Sequence, residues 1–98
     1  MALNTIITTI DTDNTAYNAS ITTSSQASSA IITGSGMIRI STQGNHVHVA
    51  FGATPTASVT TSFFIPNNTV EFFTFVSGEK VAFISGTNAG SISIIAVD

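Results

Sequence analysis

The chain has 98 residues, five acids against two bases, 7% charged residues, and neither cysteine nor tryptophan. That length allows one domain, which folding would bury to roughly 64% of its unfolded surface, with no disulfide or thiolate metal site to reinforce it. Two cations and a net charge of −3 leave no footprint for nucleic acid, and no apolar run approaches the ~18 residues of a spanning helix.

Residues 1–33 are a Thr/Ser/Asn/Ala/Ile mixture whose only charges are Asp11 and Asp13. Met1-Ala2-Leu3-Asn4 has no basic n-region and leads into no apolar h-region, so synthesis in a cytoplasm without a cleaved signal is expected. Leu3, Ile6, Ile7 and Ile10 fall at helical spacing, but the intervening threonines are poor helix formers and favour a strand. Further short strands are predicted over residues 20–25 and 30–33. The segment is expected either to complete the sheets or, over residues 1–15, to reach as an arm onto a neighbour.

From residue 34 the pattern sharpens into alternating apolar and polar positions between turn residues. Strands are predicted over 37–42, 46–51, 58–65, 70–76, 80–85 and 91–97, each bounded by Gly, Pro or Asn. The short breaks at Gln43-Gly44-Asn45, Ser77-Gly78-Glu79 and Gly86 to Gly90 predict hairpins between antiparallel neighbours. Val47, Val49 and Phe51 share one face of their strand, as do Val59, Phe63 and Ile65 on the next; His46, His48, Thr60, Ser62 and Phe64 lie opposite. Phe72 and Phe73, and the run Ile94-Ile95-Ala96-Val97, break the alternation. Those two strands are expected to be central in a sandwich or to meet another subunit. Sixteen Thr, thirteen Ile, seven Val and seven Phe against one Leu fit the same class: all-β, a single antiparallel β-sandwich or jelly roll of about eight short strands.

Few residues point to chemistry. His46 and His48 stand two apart on a strand, where both imidazoles face one way and can meet a transition metal. Two ligands do not close a tetrahedral site, so a closed one would need a second copy of the pair, and the simpler reading is two histidines on a polar face. Asp11-Thr12-Asp13-Asn14-Thr15 begins like a calcium loop, but Ala16 stands where the turn glycine belongs and Thr22 where the bidentate glutamate belongs. Gly34-Ser35-Gly36 lacks the third glycine of a dinucleotide fingerprint. A Ser-His-Asp set would have to use His46 or His48 with Asp11, Asp13 or Asp98, and no Gly-x-Ser-x-Gly elbow occurs. Glu71 and Glu79 would serve as glycosidase carboxylates only if a cleft united them. The sequons at Asn18 and Asn67 are what chance gives a chain this rich in Ser and Thr. No catalytic residue and no cofactor is expected.

So little surface charge, with β-edges that lack lysine or proline protection, makes an isolated copy prone to associate. A subunit of a larger assembly is therefore expected, with copies of the chain among its partners.

Val47-His48-Val49-Ala50-Phe51-Gly52 followed by Pro55-Thr56-Ala57, then Ile65-Pro66-Asn67-Asn68, Glu71-Phe72-Phe73 and Gly78-Glu79-Lys80-Val81-Ala82, resembles a pattern in small proteins of tailed bacteriophages. There a V-x-x-A-F-G-x-x-P-x-A segment precedes I-P-A-N, a Glu-x-Phe and G-x-K-V-A-x-I. The resemblance spans residues 47 to about 94, with Asn67 replacing the usual small residue. It implies a virion structural protein, of the type that decorates the capsid or forms a head fibre or knob. The expected partners are then the major capsid protein and further copies of the chain, a trimer by analogy with threefold lattice positions. The expected location is the capsid surface, with Gly52 to Ala57 and Pro66 to Thr69 forming contact loops at one end of the sheets. The alternative class is a fibre module that binds a host-surface glycan, against which the single Tyr17 and the absent tryptophan weigh.

Overall fold

A computed structural model describes residues 16–97 of the chain. They form eight strands: β1 Tyr17–Ser20, β2 Gln26–Ala27, β3 Met37–Gln43, β4 Val47–Gly52, β5 Phe63–Ile65, β6 Val70–Thr74, β7 Lys80–Ile84 and β8 Ser91–Ala96. Two four-stranded antiparallel sheets result, in the orders β1-β8-β3-β6 and β2-β7-β4-β5. The pairing has a simple rule. β1 joins β8, β2 joins β7, β3 joins β6 and β4 joins β5, so the chain is one long double ribbon with β4 and β5 at its tip, rolled until β3 also meets β8 and β4 also meets β7. That rolled ribbon is an eight-stranded jelly roll, as the strand inventory predicted.

Alternation within the strands builds the interior. Ile38, Ile40, Ile92 and Ile94 from one sheet meet Val47, Val49, Ile65, Val81 and Phe83 from the other, and Ile21 and Phe75 close the two ends of this layer. β-branched side chains dominate because their stiff χ1 suits a pleated surface. The inner faces cover each other, which is why the predicted hairpins are not formed. The breaks at residues 44–46, 75–79 and 85–90 each carry the chain from one sheet to the other, and only β4 and β5 are consecutive partners. With no helix among the described residues to cover a meander, crossing between layers is the arrangement that buries both strands' apolar faces.

Three further expectations change. Residues 58–62 turn instead of extending β5, because Ser58 and Ser62 bind each other's backbone. The Ser58 N–H donates to Ser62 Oγ at 2.8 Å, the Ser62 N–H to the Ser58 carbonyl at 3.1 Å, and the Thr60 N–H to Ser58 Oγ at 3.2 Å. Residues 21–25 are likewise a loop in which Thr22 Oγ1 donates to the Ser24 carbonyl at 3.0 Å, while residues 30–33 run as irregular backbone held by the Ile31 N–H to the Glu79 carbonyl at 2.9 Å. Of the two strands expected to be covered on both sides, β8 is central but β6 is an edge strand. The expectation for the start of the chain and for Asp11 to Thr15 lies outside the described residues.

Polar side chains tie one end of the sandwich together. Thr42 Oγ1 donates to the Pro66 carbonyl at 2.7 Å, the Gly44 N–H to Asn68 Oδ1 at 3.2 Å, and buried Asn45 sends its Nδ2 to the Thr87 and Ala89 carbonyls, both at 3.1 Å. Pro66 to Thr69 belong to this end, because Ile65 pairs with Val47 at the start of β4; Gly52 ends β4 at the opposite end. The two loops expected to act together are therefore a strand length apart. Gly90 is the tightest point of the knitted end: its φ is +70°, and a Cβ there would sit 2.4 Å from the Gln43 carbonyl oxygen. Gly90→Ala is expected to destabilise by about 3 kcal/mol or more in a denaturant titration, because both backbone conformation and space reject the methyl. Gly34→Ala, where the methyl meets nothing within 4 Å, should change stability by less than about 0.5 kcal/mol.

Candidate functional site

The sandwich interior carries no chemistry of its own: the residues that fill it are aliphatic and aromatic, and every buried side-chain nitrogen or oxygen among the described residues has a hydrogen-bond partner. A groove beside β1 and β8, lined by Tyr17, Ile31, Ile94 and Ala96 among others, encloses about 100 Å³, against the ~300 Å³ or more of a typical small-molecule site. Glu71 lies on β6 near the knitted end and Glu79 in the turn beyond the other end of that strand, so these carboxylates do not flank one cleft. His46 does meet a serine, Nε2 lying 3.3 Å from Ser85 Oγ. Ser85 is only 1% exposed, so no substrate carbonyl reaches that hydroxyl. The aspartates that would complete such a set lie outside the described residues.

The histidine pair is brought together as the alternation predicts. His46 immediately precedes β4 and His48 is its second residue, with buried Val47 between them. The rings stand edge to face, centroids 5.8 Å apart at 90°. β5 adds the third ring: Phe64 pairs with His48 in the β4/β5 register and lies 5.2 Å from its ring and 5.4 Å from that of His46. His48 Nδ1 is 3.4 Å from the Ser62 carbonyl oxygen; a carbonyl only accepts, so Nδ1 carries the ring proton. Both imidazoles are half-buried. Among the described residues no group of three or more His, Cys, Asp or Glu gathers around them.

The larger surface feature is a flank. β5 and β6 are the outermost strands of their sheets and are joined by residues 66–69, so both open edges fall on the same side of the molecule. Phe63 on β5 is 54% exposed, Phe64 49%, and Phe72 on β6 37%. β5 is only three residues long, because the serine-built turn displaces what would have continued it. Phe51 of β4 is consequently left without a neighbouring strand on that side. Its ring instead lies 5.2 Å from Phe73 and 5.5 Å from Phe75, and Phe63 lies 5.5 Å from Phe73, giving a row of edge-to-face rings across the seam between the sheets. Val59 and Val70 are also exposed; the registers put Phe64 on the outer face of one sheet and Val70 and Phe72 on the outer face of the other, so the rings of Phe51 and Phe63 are what the seam itself exposes between them.

Sequence reasoning found the histidine pair and marked Phe64 as an apolar residue on a polar face. Alternation places Phe63 on the core side with Val49, as the register has it, but nothing in the row of residues says that β5 is an edge strand or that it stops short of covering Phe51. Comparison with protein-family models, with curated proteins and with solved structures finds no match, so the phage resemblance rests on the motifs quoted for it.

Because the two histidines sit on the outer face, His46→Ala with His48→Ala is expected to leave the fold intact and to cost about 1 kcal/mol or less in thermal or denaturant unfolding. Ile40→Ala, which opens a cavity between the sheets, should cost about 3 kcal/mol in the same assay.

Proposed function

We propose that this protein is a non-enzymatic structural component of a tailed-phage virion, one that decorates and stabilises the capsid surface. The observation that carries the reading is the β5/β6 flank: exposed phenylalanines beside two open sheet edges suit contact with other protein subunits. A standard interface takes about 800 Å² from each partner, so the exposed aromatics would be the apolar centre of a contact that also takes in the polar surface around them. The partners are the major capsid protein and further copies of the chain. The virion setting comes from the motif resemblance, and the jelly roll fits it as a fold-level analogy, since the architecture recurs in capsid and lectin domains. The low charge of the surface helps in the same sense, because few ion pairs are present for salt to screen.

A second reading, a fibre module that binds a host glycan, gains from one feature: Phe64 with the two imidazoles forms an exposed aromatic platform of the kind sugars stack upon.

Electron cryo-microscopy of purified particles, with an antibody against this chain, separates the two. Decoration predicts density at regular lattice positions on the head, and predicts that Phe63→Ser with Phe72→Ser folds normally but loses at least tenfold in binding to undecorated heads. Label on tail fibres, with a Phe64→Ala variant that no longer retains glycan, would transfer the function to adsorption. Label nowhere on the particle would reject both.

A further inference from the structure

We propose that His46 and His48 form an open chelating site for one divalent transition-metal ion, Cu²⁺ foremost, with Ni²⁺ and Zn²⁺ behind it. The proposal does not rest on the virion reading.

Geometry comes first. A single ion held ~2.1 Å from one nitrogen on each ring sets the ring centres roughly 5–6.5 Å apart, and the two centroids stand at 5.8 Å. The pair is therefore close enough for a shared ion without moving the strand, once rotation about the side-chain torsions turns one nitrogen of each ring toward it.

The second argument lies in the nitrogens that would not touch the metal. Ligating imidazoles are held by a hydrogen bond from the far ring nitrogen to a carbonyl or another oxygen, which fixes the tautomer and raises the basicity of the ligating nitrogen. His48 has that arrangement, since Nδ1–H facing the Ser62 carbonyl at 3.4 Å leaves the Nε2 lone pair for an ion. In His46 the hydrogen-bonded nitrogen is Nε2, 3.3 Å from Ser85 Oγ; that hydroxyl can donate to it or accept from it, and the ion requires the tautomer in which Ser85 accepts and Nδ1 is left bare.

The donor set then selects the ion. Two neutral imidazoles suit Cu²⁺, Ni²⁺ and Zn²⁺, and the stability order of first-row ions places Cu²⁺ first; Mg²⁺ and Ca²⁺ require oxygen ligands. Since no third His, Cys, Asp or Glu joins the pair among the described residues, water fills the remaining positions, and the ion stays open to exchange.

The test is a titration of the tag-free full-length chain with CuCl₂, NiCl₂, ZnCl₂ and MgCl₂, read by calorimetry and by copper-induced broadening of amide NMR signals. The expected result is one Cu²⁺ per chain, tighter than Ni²⁺ or Zn²⁺, no heat with Mg²⁺, and broadening centred on residues 46–48, 62–64 and 84–85. His46→Ala and His48→Ala should each weaken Cu²⁺ binding at least tenfold while circular dichroism stays native. Broadening of the wild-type chain locates the ion without relying on either variant. Binding unchanged in the double variant, broadening centred at the amino terminus, one ion shared by two chains, or no binding at all would each overturn the proposal.

Discussion

Two layers of β-branched and aromatic side chains pressed against each other hold this molecule together, and every other feature follows from the need to keep that contact dry. Ile38, Ile40, Ile92 and Ile94 on one sheet have Val47, Val49, Val81 and Phe83 as their counterpart on the other. The chain has no disulfide and few charges to offer in compensation. Fully burying each such residue is worth about 1.5–3 kcal/mol. Any connection that left one layer uncovered would lose that for several residues at once. Short loops therefore cross between the sheets, and their exposed polar backbone is satisfied by threonine, serine and asparagine side chains, most densely where residues 42–45, 66–69 and 85–90 meet. The unusual wealth of hydroxyl residues has a structural use there, since a short polar side chain reaches its own neighbourhood's backbone at little entropic cost.

The same constraint creates the surface proposed to act in assembly. Rolling the ribbon brings both open edges, β5 and β6, to one flank, and shortening β5 to three residues leaves the row of phenylalanine rings at the seam partly uncovered. Glu71, inward-facing on the β6 edge through its register with Ile40, opposes indiscriminate strand addition there. The flank is thus suited to side-chain docking more than to extension of the sheet. On the outer face of their sheet, β4 and β5 together set two imidazoles around Phe64, so the proposed metal site would be a by-product of the same strand pairing.

Much of the fold was legible because alternation has a physical cause that survives without coordinates. A strand with Val47, Val49 and Phe51 on one side and His46 and His48 on the other can bury only one of them, and the structure buries the valines. What alternation does not encode is which sheet a strand joins. Thr42 and Val47 face inward whether β3 and β4 pair as a hairpin or face each other across the core, so the crossings at residues 44–46, 75–79 and 85–90 were read as hairpins. The end of β5 was misjudged for a different reason: Ser58 to Ser62 have strand-like neighbours, but their hydroxyls capture the backbone first. The histidines were found from spacing alone. Their hydrogen-bond partners, the Ser62 carbonyl and the Ser85 hydroxyl, come from other strands and loops, and no local pattern announces them.

The central claim is that the β5/β6 flank is the face this protein turns toward its partners. Amide hydrogen exchange, compared between the free chain and the chain mixed with undecorated phage heads, tests it most directly. The account predicts that protection on binding concentrates in residues 59–65 and 70–74, with the β1/β2 side of the sandwich unchanged. Protection confined to the β1/β2 side, or none on either flank, would contradict it.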